Sequence, residues 1–390
     1  SSRELAYTFF CQPKIVSGSC ALENTSAELA SNDAYKPLVI TSKAVTDGRL
    51  HKHLIRAFYD SGCPIGGIFD EVRDYASISL AQQAAFLAAE RGCDAFIAMG
   101  SGPVADVARA ANILAARRTD DLFSCFKEGC LEKRLLPFVL IPAGCQTGME
   151  TGRTLTIDHR ELSSDFLSPD VVILDKRMTR LPSRRELAES SAMAADNAAG
   201  AFMDPEYSPM KEAFAHAALQ LLSANIHAAD RRSGSRKRHL AVANAAVLAG
   251  IAAANTRPGL VQRLSRELEK ITHIARGVFT ALLAPAALAW HGERNGPPRQ
   301  DLLLAVAGMD TYAAAAPEER AAKGLEHLNS LFMEIRKGIP ESFAGLKIPA
   351  YKLEQACQGA ASGETAWFCA EDARTVMERA QNGNARKGEH

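Results

Sequence analysis

Through the first 180 residues, short apolar runs alternate with longer stretches whose apolar positions recur every three or four residues. Pro37–Thr41, Gly66–Val72, Asp94–Met99, Leu136–Pro142 and Asp170–Asp175 are the short runs. Their length and near-continuous apolarity suit strands buried on both faces of a parallel sheet. Between them, Ser79–Arg91 sets Leu80, Ala84, Leu87 and Ala88 on one side of a helix that Gly92 ends, and Asp106–Ala116 is also helical in pattern. Alternating β and α units predict an α/β domain over residues 1–180, with a doubly wound, mostly parallel sheet.

Beyond Leu181-Pro182 the strand-like runs stop. Ala-rich helical patterns cover Arg184–Phe202, Met210–Ala229, Arg238–Ala254, Leu260–Ile271 and Gly277–Trp290, with further helices around Pro317–Gly338 and Ala370–Gln381. Residues 181–390 are therefore expected to form an all-helical domain. A cleft between two such domains is a favoured place for a small-molecule ligand.

Charge narrows the partners. Lys+Arg and Asp+Glu balance at 45 each, which gives no electrostatic reason to expect nucleic acid or an anionic membrane. The basic segment Arg231–Arg238 lacks aromatic or Gly-rich company and reads as a solvated loop between helices. The Ala-rich stretch Ala241–Asn255 is too short to span a bilayer, and Ser1–Phe10 lacks the apolar core of a signal peptide. Nine scattered cysteines without a CxxC pair fit reduced thiols, so a cytoplasmic location is expected.

The turn Gly100-Ser101-Gly102-Pro103 lies between a predicted strand and a predicted helix. Small residues there let backbone N–H groups and a helix N-terminus approach a phosphate. A tight βα connection accounts for the same glycines equally well. Ile97–Pro103, with Asp106 and Arg109, resembles the GGGS-x-x-D-x-A-K element of the iron-containing alcohol dehydrogenase family, with Ser101 and Pro103 departing from it. Further landmarks keep the family's order: Gln12–Gly18 for the opening strand, Ile141-Pro142 with Thr147–Glu150, Pro169–Asp175 with Leu181-Pro182, and Ala249–Ile251 with Asn255 and Gly259. The resemblance implies a dehydroquinate synthase-like fold, in which a Rossmann-like dinucleotide-binding domain precedes a helical one.

The same resemblance marks a site that has changed. The family holds a divalent metal with D-x-x-x-H and two later histidines. The corresponding positions here are Asp196, Gly200, Gln262 and Arg276. One carboxylate and one amide are poor ligands without imidazole, and a guanidinium repels a cation, so no metal is expected. Arg276 is expected to fill the vacated space and pair with Asp196, the alternative being that it points outward while Gly200 closes the site; Arg276, Asp196 and Gln262 are the candidate catalytic residues. His273 reads as a surface or core residue rather than a displaced ligand, and Arg263 and Arg266 as added positive charge. At the nucleotide end, the resemblance implies contacts from Gly100, Ser101, Gly102, Asp106, Ala143, Gly144 and Thr147. The acidic residue that the family uses for the adenosine ribose is Ser42 here, followed by Lys43. If a dinucleotide binds, loss of that carboxylate favours NADP over NAD, with Lys43 placed to pair with the 2′-phosphate; a plain strand-end loop accounts for Lys43 equally well. Cys145 has no base nearby that would activate it.

Two functions compete on these residues. The first is a metal-independent NAD(P)-linked oxidoreductase, of alcohol dehydrogenase or carbonyl reductase type, for a small anionic substrate, in a possible homodimer. The second is a diverged, non-redox relative that binds a nucleotide or small anion, or acts as an accessory protein. The fold favours the first, and the altered GGGS turn and the Ala143-Gly144 pair favour the second.

Overall fold

The computed structural model describes residues 6–59, 61–73, 75–100, 102–129, 131, 133–144, 148–158, 160–179, 183–229, 235–363 and 366–382. The chain divides into two compact units, Cys11–Leu181 and Pro182–His390, the second joined by the segment before Cys11. Phe9 stacks on Phe214, and Asn255 clamps the Phe10 backbone by accepting from its N–H at 2.6 Å and donating to its carbonyl at 2.8 Å.

In the first unit the strands are β1 (Lys14–Gly18), β2 (Pro37–Ser42), β3 (Gly67–Val72), β4 (Ala95–Gly100), β5 (Phe138–Pro142), β6 (Thr154–Ile157), β7 (Arg160–Ser163) and β8 (Val171–Asp175). Six of them form one parallel sheet in the order β1-β8-β5-β4-β2-β3, while β6 and β7 make a separate antiparallel hairpin. The central strands β4, β5 and β8 are buried at every residue, which explains their uninterrupted apolar runs. Edge strand β1 is more exposed, and its mixed Lys-Ile-Val-Ser-Gly composition follows from that. The helices of this unit are α1 (Thr25–Ala30), α2 (Lys43–Asp47), α3 (His51–Phe58), α4 (Ile78–Arg91) and α5 (Gly102–Arg117). Gly92 ends α4 in the left-handed conformation (φ 62°), as its position after the last apolar turn predicts.

The second unit contains α6 (Arg184–Met203), α7 (Pro209–Ala229), α8 (Ser235–Ala254), α9 (Leu260–Thr272), α10 (Arg276–Asn295), α11 (Asp301–Ala314), α12 (Arg320–Arg336), α13 (Ala350–Ala360) and α14 (Ala370–Asn382). Helix α6 starts on a capping box: Ser183 accepts from the Glu186 N–H, and Glu186 accepts from the Ser183 N–H. Its alanines at 188, 192, 195 and 199 follow helical spacing into the core and permit close helix approach. Gly277 shows how close: a Cβ there would lie 2.5 Å from the Glu189 Cβ and 2.7 Å from its Cα, so the start of α10 lies against α6. Of the basic segment expected as a loop, residues 231–234 lie outside the described residues, and 235–238 form the first turn of α8.

Candidate active site

All strands of the parallel sheet end on one side. β2 leads to β3 toward one sheet edge, while β4 leads to β5 toward the other. The crevice of such a sheet opens where the connections diverge, between the C-terminal ends of β2 and β4. Those ends are Ser42 and Gly100, and Thr41 on β2 ties them by donating to the Met99 carbonyl at 2.6 Å. Gly100 is required there, because a Cβ would lie 2.8 Å from the Val104 side chain in the first turn of α5. Gly102 opens α5 with no heavy atom within 4 Å of where a Cβ would sit. On neighbouring β5, the chain continues through Ala143, whose N–H donates to the Gly100 carbonyl at 3.3 Å, and Gly144, at φ 94°. Asp106 sits one turn into α5 and is paired with buried Arg109 at 3.3 Å. Ser101, Cys145 and Thr147 lie outside the described residues.

Lys43 differs from its expected role. Its ammonium contacts Asp70 Oδ1 at 2.9 Å and Glu71 Oε1 at 3.4 Å, both carried by β3. Hydrogen bonding to Asp70 holds the lysine above its ordinary range, and hydrogen bonding to Lys43 holds the Asp70 carboxyl below its own. One cation facing two carboxylates leaves the local charge negative. A 2′-phosphate would meet repulsion there, so the argument for NADP from Lys43 fails. Ser42 carries no acid, and the carboxylates beside it come from the neighbouring strand, which the β2 sequence does not show.

The helical unit encloses a pocket of about 400 Å³. Asp196 and Gly200, one turn apart on α6, line it together with Gln262 from the first turn of α9. Among the described residues the Asp196 carboxyl has no hydrogen-bond or ionic partner, and burial raises it from 3.8 to about 7. Gln262 Nε2 donates to Asn197 Oδ1 at 2.8 Å, which fixes the amide on the wall beside Asp196. From α10 come Trp290 and His291, two residues with no role in the sequence reading. Burial lowers the His291 imidazole below its usual range. The Asn295 amide lies 3.3 Å from its Nδ1. Trp367, Arg257 and Arg299 complete the polar and aromatic wall.

Arg276 does not join this wall, which corrects the expected pair with Asp196. Its Nε contacts Glu269 Oε2 at 3.1 Å, and its backbone N–H donates to Glu269 Oε1 at 2.9 Å. The cause is local. Arg276 is the first residue of α10, where a free N–H needs an acceptor, and Glu269 near the end of α9 serves the N–H and the guanidinium together. His273 caps α9 at φ 59° and is exposed, as a surface residue would be. Arg263 donates to the Ala360 and Ser362 carbonyls and does not line the pocket.

The family's metal does not fit this residue set. Gly200 offers no ligand, Gln262 offers at most a neutral amide oxygen in place of an imidazole, and Arg276 is a cation turned to Glu269. Among the described residues no group of three or more His, Cys, Asp or Glu could hold a metal ion.

The two units together have the dehydroquinate synthase-like fold. The profile described as iron-containing alcohol dehydrogenase matches residues 12–176, and that of the Fe-containing alcohol dehydrogenase family, C-terminal, matches 194–377. The chain belongs to the iron-containing alcohol dehydrogenase family, a family of oxidoreductases. It is 25% identical to long-chain-alcohol dehydrogenase 1 of Geobacillus thermodenitrificans over 86% of this chain and 85% of that one. It is also 25% identical to the NAD-dependent methanol dehydrogenase of Bacillus methanolicus, over 89% and 91% of the two chains. A crystal structure of 1,3-propanediol oxidoreductase superposes with a TM-score of 0.85 at 19% identity, covering 96% of this chain and all of the other. No helix among the described residues is long and apolar enough to cross a membrane.

Proposed function

We propose that this chain is a metal-independent, NAD-linked oxidoreductase that interconverts a small anionic alcohol and its carbonyl compound, with Asp196 as the proton-transferring group. The observation that carries the reading is the Asp196 carboxyl: half-buried, unpartnered among the described residues, raised to about 7, and on the wall of a pocket shared with Gly200 and Gln262. NADH or NAD+ supplies or accepts the hydride when bound. In the reducing direction, protonated Asp196 donates a hydrogen bond and then its proton to the carbonyl oxygen. In the oxidising direction, the carboxylate takes the hydroxyl proton. A group balanced near neutral pH serves both, and such catalysis contributes about 10²–10⁴ in rate. Gly200 gives the carbonyl space where the family has an imidazole. Support for NAD comes from the negative charge of Asp70 and Glu71 around Lys43, and from the NAD-dependent relative of Bacillus methanolicus.

The experiment is a calorimetric titration of NADH and NADPH into the protein, with metal analysis of the same sample and turnover of Asp196→Asn. Expected are NADH binding tighter than NADPH, substoichiometric iron and zinc, and a loss of about 10²–10⁴ in kcat in the variant. Stoichiometric metal overturns metal independence. No nucleotide binding at millimolar concentration sinks the redox reading in favour of a non-redox, anion-binding relative, which the altered Ala143-Gly144 loop favours.

A further inference from the structure

Asp196 aside, the charged residues around the pocket pair off, and Arg257 does so most weakly. Asp204 Oδ2 accepts from Lys211 Nζ at 2.8 Å, and both side chains are 3% exposed. Arg299 is paired with Glu212 and also donates to the Asp204 and Ala201 carbonyls. Arg257 is different. Its nearest carboxylate oxygen, Asp204 Oδ1, lies 4.0 Å away and already accepts the Glu206 N–H, and the arginine side chain is 38% exposed. The guanidinium lies 5.9 Å from the centroid of the Trp367 ring, and Trp367 in turn lies 5.9 Å from Trp290. Both indole N–H groups are occupied, Trp367 by the Pro258 carbonyl at 3.1 Å and Trp290 by Asp372 at 3.3 Å. The rings therefore offer apolar surface, continued by Leu288 and Ala287.

We infer that Arg257 is the specificity-determining residue of this pocket, and that its ligand is an organic monocarboxylate with an apolar, ring-sized body lying on Trp290 and Trp367. With Asp196 protonated, weakly paired Arg257 leaves one positive charge to match one negative charge. A planar guanidinium held beside an aromatic face presents its fork to a carboxylate. A dianion would leave one charge without a partner on this wall, and a neutral alcohol would gain no charge-assisted bond from Arg257. The inference rests on the proposed function in placing the reacting carbonyl at Asp196, but the recognition of the acid does not need the hydride step.

Both tryptophans of the chain line the pocket, so intrinsic fluorescence reports its occupancy directly. The test titrates 3-phenylpropanoate, its neutral amide and butanoate into the full chain without nucleotide. It is repeated in Arg257→Gln and Arg257→Lys, with unfolding midpoints to show that the variants fold. In the wild type the acid should bind about tenfold or more tighter than the amide, and also tighter than butanoate. Arg257→Gln should bring acid and amide within about threefold, and Arg257→Lys should keep part of the preference. Equal affinity for acid and amide in the wild type overturns the inference, whatever the variants do. A preference unchanged in Arg257→Gln removes Arg257 from it, and butanoate binding as tightly as the aryl acid removes the aromatic wall. A protein that prefers the acid but binds no NADH keeps this inference while the redox reading falls.

Discussion

A carboxyl held neutral inside a cavity should weaken the fold as pH rises, and Asp196→Asn should reveal by how much. The ordinary value of 3.8 is raised to about 7 by burial. Below pH 3.8 the folded and unfolded chains both carry the proton, and Asp196 contributes nothing. Between 3.8 and 7 the unfolded chain loses the proton while the folded one keeps it, so wild-type stability falls by about 1.4 kcal/mol per pH unit. Above 7 both forms are ionised and the deficit levels off at about 4 kcal/mol. Water reaching the cavity wall screens part of it, so about 2–4 kcal/mol is expected. An asparagine has the shape of the neutral acid and no such dependence. Wild type and Asp196→Asn should therefore match at pH 4, with the variant more stable by that amount at pH 8. Urea unfolding followed by tryptophan fluorescence is the assay, because Trp290 and Trp367 both belong to the helical unit that carries Asp196. A difference that stays constant from pH 4 to pH 8 would refute a neutral carboxyl, and with it the proton-transfer role.

Three further outcomes follow from the same geometry. Lys211→Met leaves Asp204 buried without its cation and should cost about 3–5 kcal/mol in urea unfolding, whereas a cost below about 1 kcal/mol would mean that Asp204 finds another partner. Arg276→Ala removes a pair in which Glu269 is 39% exposed, so a loss of about 1 kcal/mol or less is expected, with the affinity of the pocket for 3-phenylpropanoate unchanged; weakened binding would return Arg276 to the site. Asp70→Asn frees Lys43 from its stronger partner and should shift nucleotide preference toward NADPH, read as the ratio of the two dissociation constants; an unmoved ratio removes this cluster from nucleotide recognition.

The buried strands β2, β4, β5 and β8 were legible because a strand covered on both faces must be apolar along its length. The large helices α6 to α10 were legible because their small apolar residues recur at helical spacing. Other elements escaped. The strands of the β6–β7 hairpin are four residues each, too short for a periodic signal. Helix α11 is broken at Gly308 (φ 83°), and α13 buries only Ala356, Cys357 and Ala360. Within the pocket, nothing in the local pattern of Arg257, His291 or Trp367 marks a shared wall. They are up to 110 residues apart in sequence, and only the packing of α9 and α10 with the segment before α14 brings them together.

By itself, the sequence determined the alternation of buried strands and helices, the glycine at the end of β4, and the non-histidine residues Gly200, Gln262 and Arg276 at the positions that the family resemblance marks. These depend on residue type and spacing, which the chain carries everywhere. Only the tertiary structure decided which charges meet. Lys43 is neutralised by Asp70 and Glu71 from the next strand, Arg276 is drawn to Glu269 across the connection from α9 to α10, and Asp196 is left facing a cavity alone among the described residues. Charge pairing is a competition settled by distances of a few ångströms and by access to water, and neither quantity is written in the order of residues.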